Sequence, residues 1–311
     1  MSELRDTARN YLALRRAVGF RLARMDGLLD DFVTFVEAHD ATHVTVELAV
    51  AWATQPAGAS LGWWNTRLSM VRCFARHLAA LDPSTEIPPL DALARTGPAT
   101  RRAEPYPYTT EEILALMAAC ETRRFALTAA TCRTIIGLLA VTGMRISETL
   151  NLANSDVDLD RGVITVHLSK FGRSRHVPIH ATTIDALDDY LAVRDAKFPV
   201  RRSEQFLVSW SGKRLSYRAM NEHFERLVTI AGLTPRSPRC RPRMHDFRHR
   251  FATATLNDWY QTDVDVQAKL PLLATFLGHV DPASTYWYLS GRPDLLAGAA
   301  HRLEQRSTGA R

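Results

Sequence analysis

The chain has 311 residues, of which 46% are hydrophobic and 23% charged, with a formal net charge of +6 and an isoelectric point near 9.3. This composition excludes a disordered chain and predicts a soluble protein of two domains with a polyanionic partner. Its longest apolar run, near residues 135–141, is too short for a bilayer, and its polar start lacks a signal-peptide core, so we expect a cytoplasmic protein that does not enter membranes. Four cysteines without a CxxC pair argue against a zinc site and a disulfide framework.

Residues 1–95 are predicted to form a helical domain, because apolar side chains recur there at helical spacing. One stripe runs from Leu28 to Val36, and another follows Trp63-Trp64 and runs from Leu68 to Leu78. Arg67 and Arg72 on the second stretch are candidate DNA contacts.

Residues 96–108 are rich in proline and are assigned to an extended linker between domains. Thr109 or Thr110 followed by two glutamates predicts the start of a helix and of a second domain, residues 109–311. Within it, residues 163–168, a turn containing Gly172 and residues 176–179 predict a β-hairpin. The predicted fold is therefore mainly α with a small β-sheet.

The first of four chemical boxes is Thr142-Gly-Met-Arg145-Ile-Ser-Glu148. It follows an apolar helix, and Ser147 is the predicted N-cap of the next helix, so Arg145 would lie at the junction and project into a cleft. Glu148 would hold its guanidinium in place. The alternative is that Arg145 is an ordinary surface residue or one half of a structural ion pair.

The second box is Ser169-Lys-Phe-Gly-Arg-Ser-Arg175, at the predicted hairpin turn. An exposed turn lysine is ordinary, but lysine can release a proton to a leaving oxygen far more readily than arginine can, which makes Lys170 a candidate proton donor. Arg173 and Arg175 are predicted to contact phosphates.

The third box is His245-Asp-Phe-Arg248-His249, preceded by an arginine-rich run that contains Arg241 and Arg243. His245 and Arg248 lie three residues apart, so on one helix they can point at the same small ligand. The arginine-rich run either follows a DNA backbone, with Arg241 and Arg243 as contacts, or is a solvated loop.

The fourth box is Leu277-Gly-His279, followed nine residues later by Tyr288. Gly278 is a predicted C-terminal cap. His279 either donates a hydrogen bond to a phosphoryl oxygen or satisfies carbonyl groups of the preceding helix. Tyr286 and Tyr288 are both candidate nucleophiles, although tyrosines in an aromatic cluster are ordinarily core residues.

Together the boxes supply what phosphodiester chemistry needs: cations for a pentacoordinate phosphorus, a proton donor and a nucleophile, without metal ligands. In order and spacing they resemble the tyrosine recombinase (phage integrase) family. The resemblance covers the whole chain: residues 1–95 look like the helical, SAM-like core-binding domain of that family, and residues 109–311 like its mixed α/β catalytic domain. A departure is the stretch between His245 and His279, which is several residues longer than usual.

The resemblance implies a site-specific DNA recombinase that forms a 3′-phosphotyrosyl intermediate and needs no cofactor or metal. The nine-residue step and the Thr-x-x-Tyr ending select Tyr288 over Tyr286. The implied catalytic residues are Arg145, Lys170, His245, Arg248, His279 and Tyr288, with Glu148 in support.

The resemblance also implies that double-stranded DNA is clamped between the two domains by a tetramer, with other recombinases of the same element as further candidate partners. Residues 279–289 look like those of transposon-borne integrases, which implies integration or transposition of a mobile element. The apolar tail after Tyr288 is a candidate docking segment for a neighbouring subunit. Two alternatives stay open: a type IB topoisomerase, which would relax supercoils as a monomer, and a catalytically silent DNA-binding accessory protein.

Overall fold

The computed structural model of the chain describes residues 3–20, 22, 25–93, 103–167, 174–262 and 264–278. The described residues form two compact units, one up to residue 93 and one from Ala103 onward. As predicted, the fold is mainly helical with a small sheet. No helix within these ranges is both long and apolar enough to cross a membrane.

The described part of the first unit contains four helices, whose apolar faces meet in one core. Thr45 and Ser60 start the third and fourth helices, since each side-chain oxygen accepts a backbone N–H three residues on, at 3.2 Å. The helices are α1 (Glu3–Ala17), α2 (Met25–Glu37), α3 (Val46–Thr54) and α4 (Leu61–Leu78). Fully buried core side chains include Leu29, Phe32, Trp52, Leu68 and Phe74.

Arg67 and Arg72 on α4, the candidate DNA contacts of the first unit, are buried within it. Arg67 is 6% exposed; its Nη2 donates to the carbonyl oxygen of Trp52 at 2.9 Å and its guanidinium covers the Trp52 ring at 3.7 Å. Arg72 is 7% exposed and donates to the carbonyl oxygens of Pro88 and Pro89 at 2.6 and 2.8 Å. In this arrangement both guanidinium groups donate to carbonyl oxygens within the unit.

In the second unit, helices surround α6, which is apolar on most sides and contacts α5, α8 and α10. Ile135, Ile136 and Leu139 of α6 are fully buried. The described helices are α5 (Thr110–Ala119), α6 (Ala126–Thr142), α7 (Ile146–Thr149), α8 (Ala181–Lys197), α9 (Tyr217–Ile230), α10 (Asp246–Gln261) and α11 (Val266–Leu277).

The sheet of the second unit has three described strands in antiparallel order: β1 (Val157–Asp158), β2 (Val163–His167) and β3 (Ser174–Pro178). β2 and β3 form the predicted hairpin, with Ile164 opposite Val177 and His167 opposite Ser174. Ile164, Val166 and Val177 are buried while their strand neighbours are more exposed, the alternation of a sheet with one covered face.

Residues 103–108, which the sequence assigns to the linker, belong to the second unit. Tyr106 and Tyr108 are buried, and the Tyr108 ring stacks on Phe247 with centroids 4.4 Å apart. The Tyr108 hydroxyl donates to the carbonyl oxygen of Arg243 at 3.2 Å. Proline content correctly predicts a non-helical segment here, but the two tyrosines anchor it in the core.

The long stretch between His245 and His279 forms α10 and α11, which pack against each other. Apolar residues of both helices share a small core that includes Leu256, Leu270, Leu273 and Leu277. Pro271 lies inside α11 on its exposed side. The longer spacing is therefore occupied mostly by these two helices. The end of α11 lies beside the turn that follows α6.

Candidate functional site

Arg145 is positioned by a tight turn that ends α6. Gly143 has the left-handed φ of +61°, and its backbone N–H donates to Leu139 at 3.1 Å. Arg145 follows two residues later and immediately precedes α7. The predicted cap by Ser147 is wrong: Glu148 Oε2 accepts from the backbone N–H of Arg145 at 3.0 Å and closes the start of α7 instead.

Replacing Gly143 with alanine is expected to lower the free energy of unfolding by about 2–4 kcal/mol, from left-handed strain and overpacking together. A Cβ there would lie 2.7 Å from Phe251 Cδ1 and 3.0 Å from Leu277 Cδ2. Gly232→Ala is the matched control, because Gly232 has a φ of +71° and open space around its Cα, so only strain of about 1–2 kcal/mol is expected. Urea unfolding measures both; equal losses would contradict the crowding argument.

Glu148 joins two arginines. Its Oε1 accepts from Arg145 Nη1 at 2.7 Å, and its two oxygens accept from Arg175 Nη1 and Nη2 at 3.2 and 2.6 Å. Burial raises the pKa of Glu148, but the hydrogen bonds and charges of Arg175 and Arg145 outweigh it and hold the pKa below its usual value. Glu148 is therefore a carboxylate that fixes the Arg145 guanidinium, as the sequence predicts.

Three arginines bind three successive carbonyl oxygens at the C-terminal end of α11. Arg175 Nε donates to Phe276 at 2.8 Å, Arg248 Nη2 to Leu277 at 2.7 Å and Arg145 Nη2 to Gly278 at 3.2 Å. Cations are favoured at this end of a helix because its last carbonyls lack intrahelical partners. Gly278 caps α11 in the left-handed region, with φ +70°, as predicted.

Arg145 and Arg248 differ in how far they reach solvent. The Arg145 side chain is 36% exposed, so its guanidinium can meet an anion that arrives from outside. Arg248 is 2% exposed and also donates through Nη1 to the carbonyl oxygen of Gly143 at 2.9 Å. Arg248 thus links the turn after α6 to the end of α11 in this arrangement.

His245 directly precedes α10, and its carbonyl oxygen accepts the Arg248 backbone N–H at 3.2 Å. The residue is exposed overall, yet partial burial of its imidazole is the largest cause that lowers its pKa. The charge of Asp246 opposes this, while those of Arg248, Arg243 and Arg145 lower the pKa further. The result is an imidazole biased toward its neutral form.

The predicted phosphate contacts Arg175, Arg241 and Arg243 differ in their exposure and in their hydrogen-bond partners. Arg175 is 6% exposed and is committed to Glu148 and α11. Arg243 is 40% exposed and forms a two-pronged pair with buried Asp246, at 2.9 and 2.8 Å. Arg241 is exposed, and it lines an open groove together with His245 and α9.

Four of the predicted site residues, Lys170, Arg173, His279 and Tyr288, lie outside the described residues. The described chain nevertheless reaches both segments that contain them. Strands β2 and β3 flank residues 168–173, with His167 Nδ1 and Ser174 Oγ 3.0 Å apart, and α11 with its cap ends at the residue before His279.

Through Arg145, the most exposed of its arginines, the described site can meet an anion from solvent. It gathers Arg145, Arg175 and Arg248 around one helix end, with Glu148 as the carboxylate between two of them. Within the described ranges, no group of three or more His, Cys, Asp or Glu side chains is placed to hold a metal ion.

The chain is similar to known proteins along its whole length. The sequence profile of the Phage integrase family matches residues 108–293. A protein of Sinorhizobium fredii named "Putative integrase/recombinase y4rB" is 42% identical over 98% of this chain and 98% of its own. Tyrosine recombinase XerC of Chlamydia trachomatis serovar L2 is 29% identical over 71% of this chain and 64% of its own.

Among solved structures, the fold is similar to that of the Tn1549 transposon integrase in complex with transposon right end DNA. The TM-score is 0.67 at 17% sequence identity, over 96% of this chain and 98% of that one. At this identity the likeness concerns the fold alone.

Proposed function

We propose that the chain cuts and rejoins double-stranded DNA through a 3′-phosphotyrosyl intermediate. The chain belongs to the phage integrase family and is a tyrosine-type site-specific recombinase. One observation carries the proposal. Arg145 and Arg248 bind the carbonyl oxygens of Gly278 and Leu277, the last residues before His279. The chain segment that leads to Tyr288 therefore begins next to the guanidinium groups of Arg145 and Arg248.

In the proposed first step, Tyr288 Oη attacks the scissile phosphorus and the bond to the 5′ oxygen breaks. Lys170 Nζ gives a proton to that oxygen, which leaves as a 5′ hydroxyl, and the phenol proton passes to a histidine. The 5′ hydroxyl of the second duplex then attacks the phosphotyrosine and releases Tyr288. Each step exchanges one phosphoester bond for another, so ATP is not consumed.

Arg145 and Arg248 are the proposed stabilisers of the charge that develops on the non-bridging oxygens. Guanidinium groups suit this task because they keep their proton and offer a planar set of donors to a phosphate. Arg145 supports the proposal best, since Glu148 fixes its guanidinium while 36% of the side chain stays exposed. A preorganised cation of this kind costs no rearrangement when the charge appears.

His245 is the proposed proton acceptor for the phenol, with His279 as a second hydrogen-bond donor to the phosphate. The lowered pKa of His245 supports this role, because a neutral imidazole can accept a proton at neutral pH.

The rate of covalent capture is expected to vary little with pH above pH 7, where His245 is neutral, and to fall as the pH drops through its lowered pKa, where the imidazole becomes protonated. His245→Asn is expected to lose this acid limb and to react about 10²-fold more slowly at pH 7.5. Single-turnover rates between pH 5 and 8 at constant ionic strength measure both effects. His176→Asn, which changes an exposed histidine on β3, is the control. An unchanged acid limb in His245→Asn would contradict the role.

Double-stranded DNA is the proposed partner, and the groove that His245 shares with Arg241 and α9 is the proposed path of the strand next to the scissile phosphate. Arg241 is exposed, so it is retained as a phosphate contact; Arg173 is retained from the sequence alone. Tetramer formation on DNA is proposed from the family resemblance, and a role in moving a mobile element from the resemblance of residues 279–289 to transposon-borne integrases.

The proposal is tested with the full chain and nicked duplexes that carry DNA flanking its own gene or element. A nick near the cleavage site lets a short fragment diffuse away and traps the covalent intermediate. We expect a protein–DNA band on a denaturing gel that requires a specific sequence. No band on any duplex would contradict the function, and relaxation of plasmids of any sequence by dilute protein would replace it with a topoisomerase activity.

A further inference from the structure

Arg175 makes more connections within the site than a phosphate contact would. It lies on β3, and its guanidinium is held by both oxygens of Glu148 and by the carbonyl oxygen of Phe276. Its side chain is 6% exposed. These bonds use all three nitrogens of the guanidinium, so in this arrangement the group faces the protein on every side.

The contacts of Arg175 join three parts of the chain that carry the proposed chemistry. β3 follows residues 168–173, the stretch that contains Lys170. Glu148, the partner of Arg175, also accepts from Arg145 at 2.7 Å. Phe276 lies at the end of α11, three residues before His279.

The fit around Arg175 is close. A Cβ on Gly278 would lie 2.7 Å from Arg175 Nη1 and 3.1 Å from its Cζ. The guanidinium therefore fills the space against the helix cap. A shorter or narrower side chain would leave the carbonyl oxygen of Phe276 and the carboxylate of Glu148 without these donors.

We propose that Arg175 is a positioning residue: through Glu148 it fixes the guanidinium of Arg145, and through the carbonyl of Phe276 it fixes the helix end that leads to His279. The inference rests on the proposed function, because the arginine that it positions acts on the scissile phosphate. Lysine cannot replace it, since one ammonium cannot bridge two carboxylate oxygens and a carbonyl in the same plane.

The test compares Arg175→Lys with Arg194→Lys. Arg194 is a matched control: it is 4% exposed, lies in the same unit, donates to the carbonyl oxygen of Phe206 at 2.9 Å and pairs with Asp195. Both variants lose a buried guanidinium, so both are expected to melt at lower temperature. All rates are measured with folded protein, well below the lower melting temperature, on the nicked duplexes.

We expect Arg175→Lys to reduce the single-turnover rate of covalent capture by about 10–100-fold, as misplacement of a reacting group by about 1 Å does. DNA affinity and its salt dependence should stay near wild type, and Arg194→Lys should keep the wild-type rate. Glu148→Gln is the second variant, and the double variant Arg175→Lys/Glu148→Gln should lose little more than the slower single one, because both act on Arg145 through the same contact.

A wild-type capture rate in Arg175→Lys would overturn the inference and leave the proposed function intact. A loss of DNA affinity together with a lower salt slope would show a phosphate contact instead. Additive losses of capture rate in the double variant would mean that Arg175 and Glu148 act independently of each other. That result would also overturn the inference. Absence of any covalent band with wild-type protein would overturn the proposed function itself and, with it, this inference.

Discussion

Replacing Tyr288 with phenylalanine is expected to abolish covalent capture of DNA, with a rate at least about 10⁴-fold below wild type. The change removes only the phenolic oxygen, which is the proposed nucleophile. Specific DNA binding should be unchanged, because the aromatic ring stays. Denaturing gels with nicked duplexes measure capture, and gel shifts at a fixed salt concentration measure binding.

Tyr286→Phe is the control for Tyr288→Phe, since it removes the same atom two residues away. We expect it to keep the wild-type band. If the band disappears with Tyr286→Phe and persists with Tyr288→Phe, the nucleophile is Tyr286 and the spacing argument from His279 is wrong.

Replacing Arg145 with alanine is expected to slow covalent capture by about 10²–10³-fold, the usual effect of removing one preorganised donor. Arg145→Lys should recover little of the rate, because lysine cannot bond Glu148 and a phosphate in one plane. The effect on stability should be small beside the effect on rate, since the Arg145 side chain is 36% exposed. Single-turnover capture and thermal unfolding measure the two effects separately.

Arg133→Ala is the control for Arg145→Ala. Arg133 lies in the same unit, is 52% exposed and pairs with Glu121 at 3.0 Å, so it has the same chemistry without a place in the site. Its capture rate should equal that of wild type. Equal losses in the two variants would mean that general positive charge, rather than the position of Arg145, supports the reaction.

Helical periodicity, the hairpin and the glycine cap at Gly278 could be predicted because each depends on residues close together in sequence. The roles of Arg67, Arg72 and Arg175 could not be predicted in the same way. Their acceptors are carbonyl oxygens 15 to 101 residues away, and an arginine that will bind a carbonyl has the same sequence signature as one that will bind a phosphate.

A signal for Arg175 was nevertheless present in the strand pattern. Successive side chains of a strand point to opposite faces, so Arg175 and Val177 share a face while His176 takes the other. Val177 is fully buried and Arg175 is buried with it. The alternation of buried and exposed side chains thus distinguishes an arginine that points into the core from one that points to solvent. A strand arginine should be predicted to contact DNA only after its face of the strand has been identified.

The arginine cluster also has an order of assembly in time. Arg145 donates to a carbonyl 133 residues further along the chain, and Arg175 to one 101 residues further along. At about 5–20 residues per second on the ribosome, the acceptor carbonyl of Gly278 is synthesised on the order of 10 s after Arg145. The site is therefore completed only when translation has passed α11, and a nascent chain that stops before this helix has the arginines but not the carbonyls that align them.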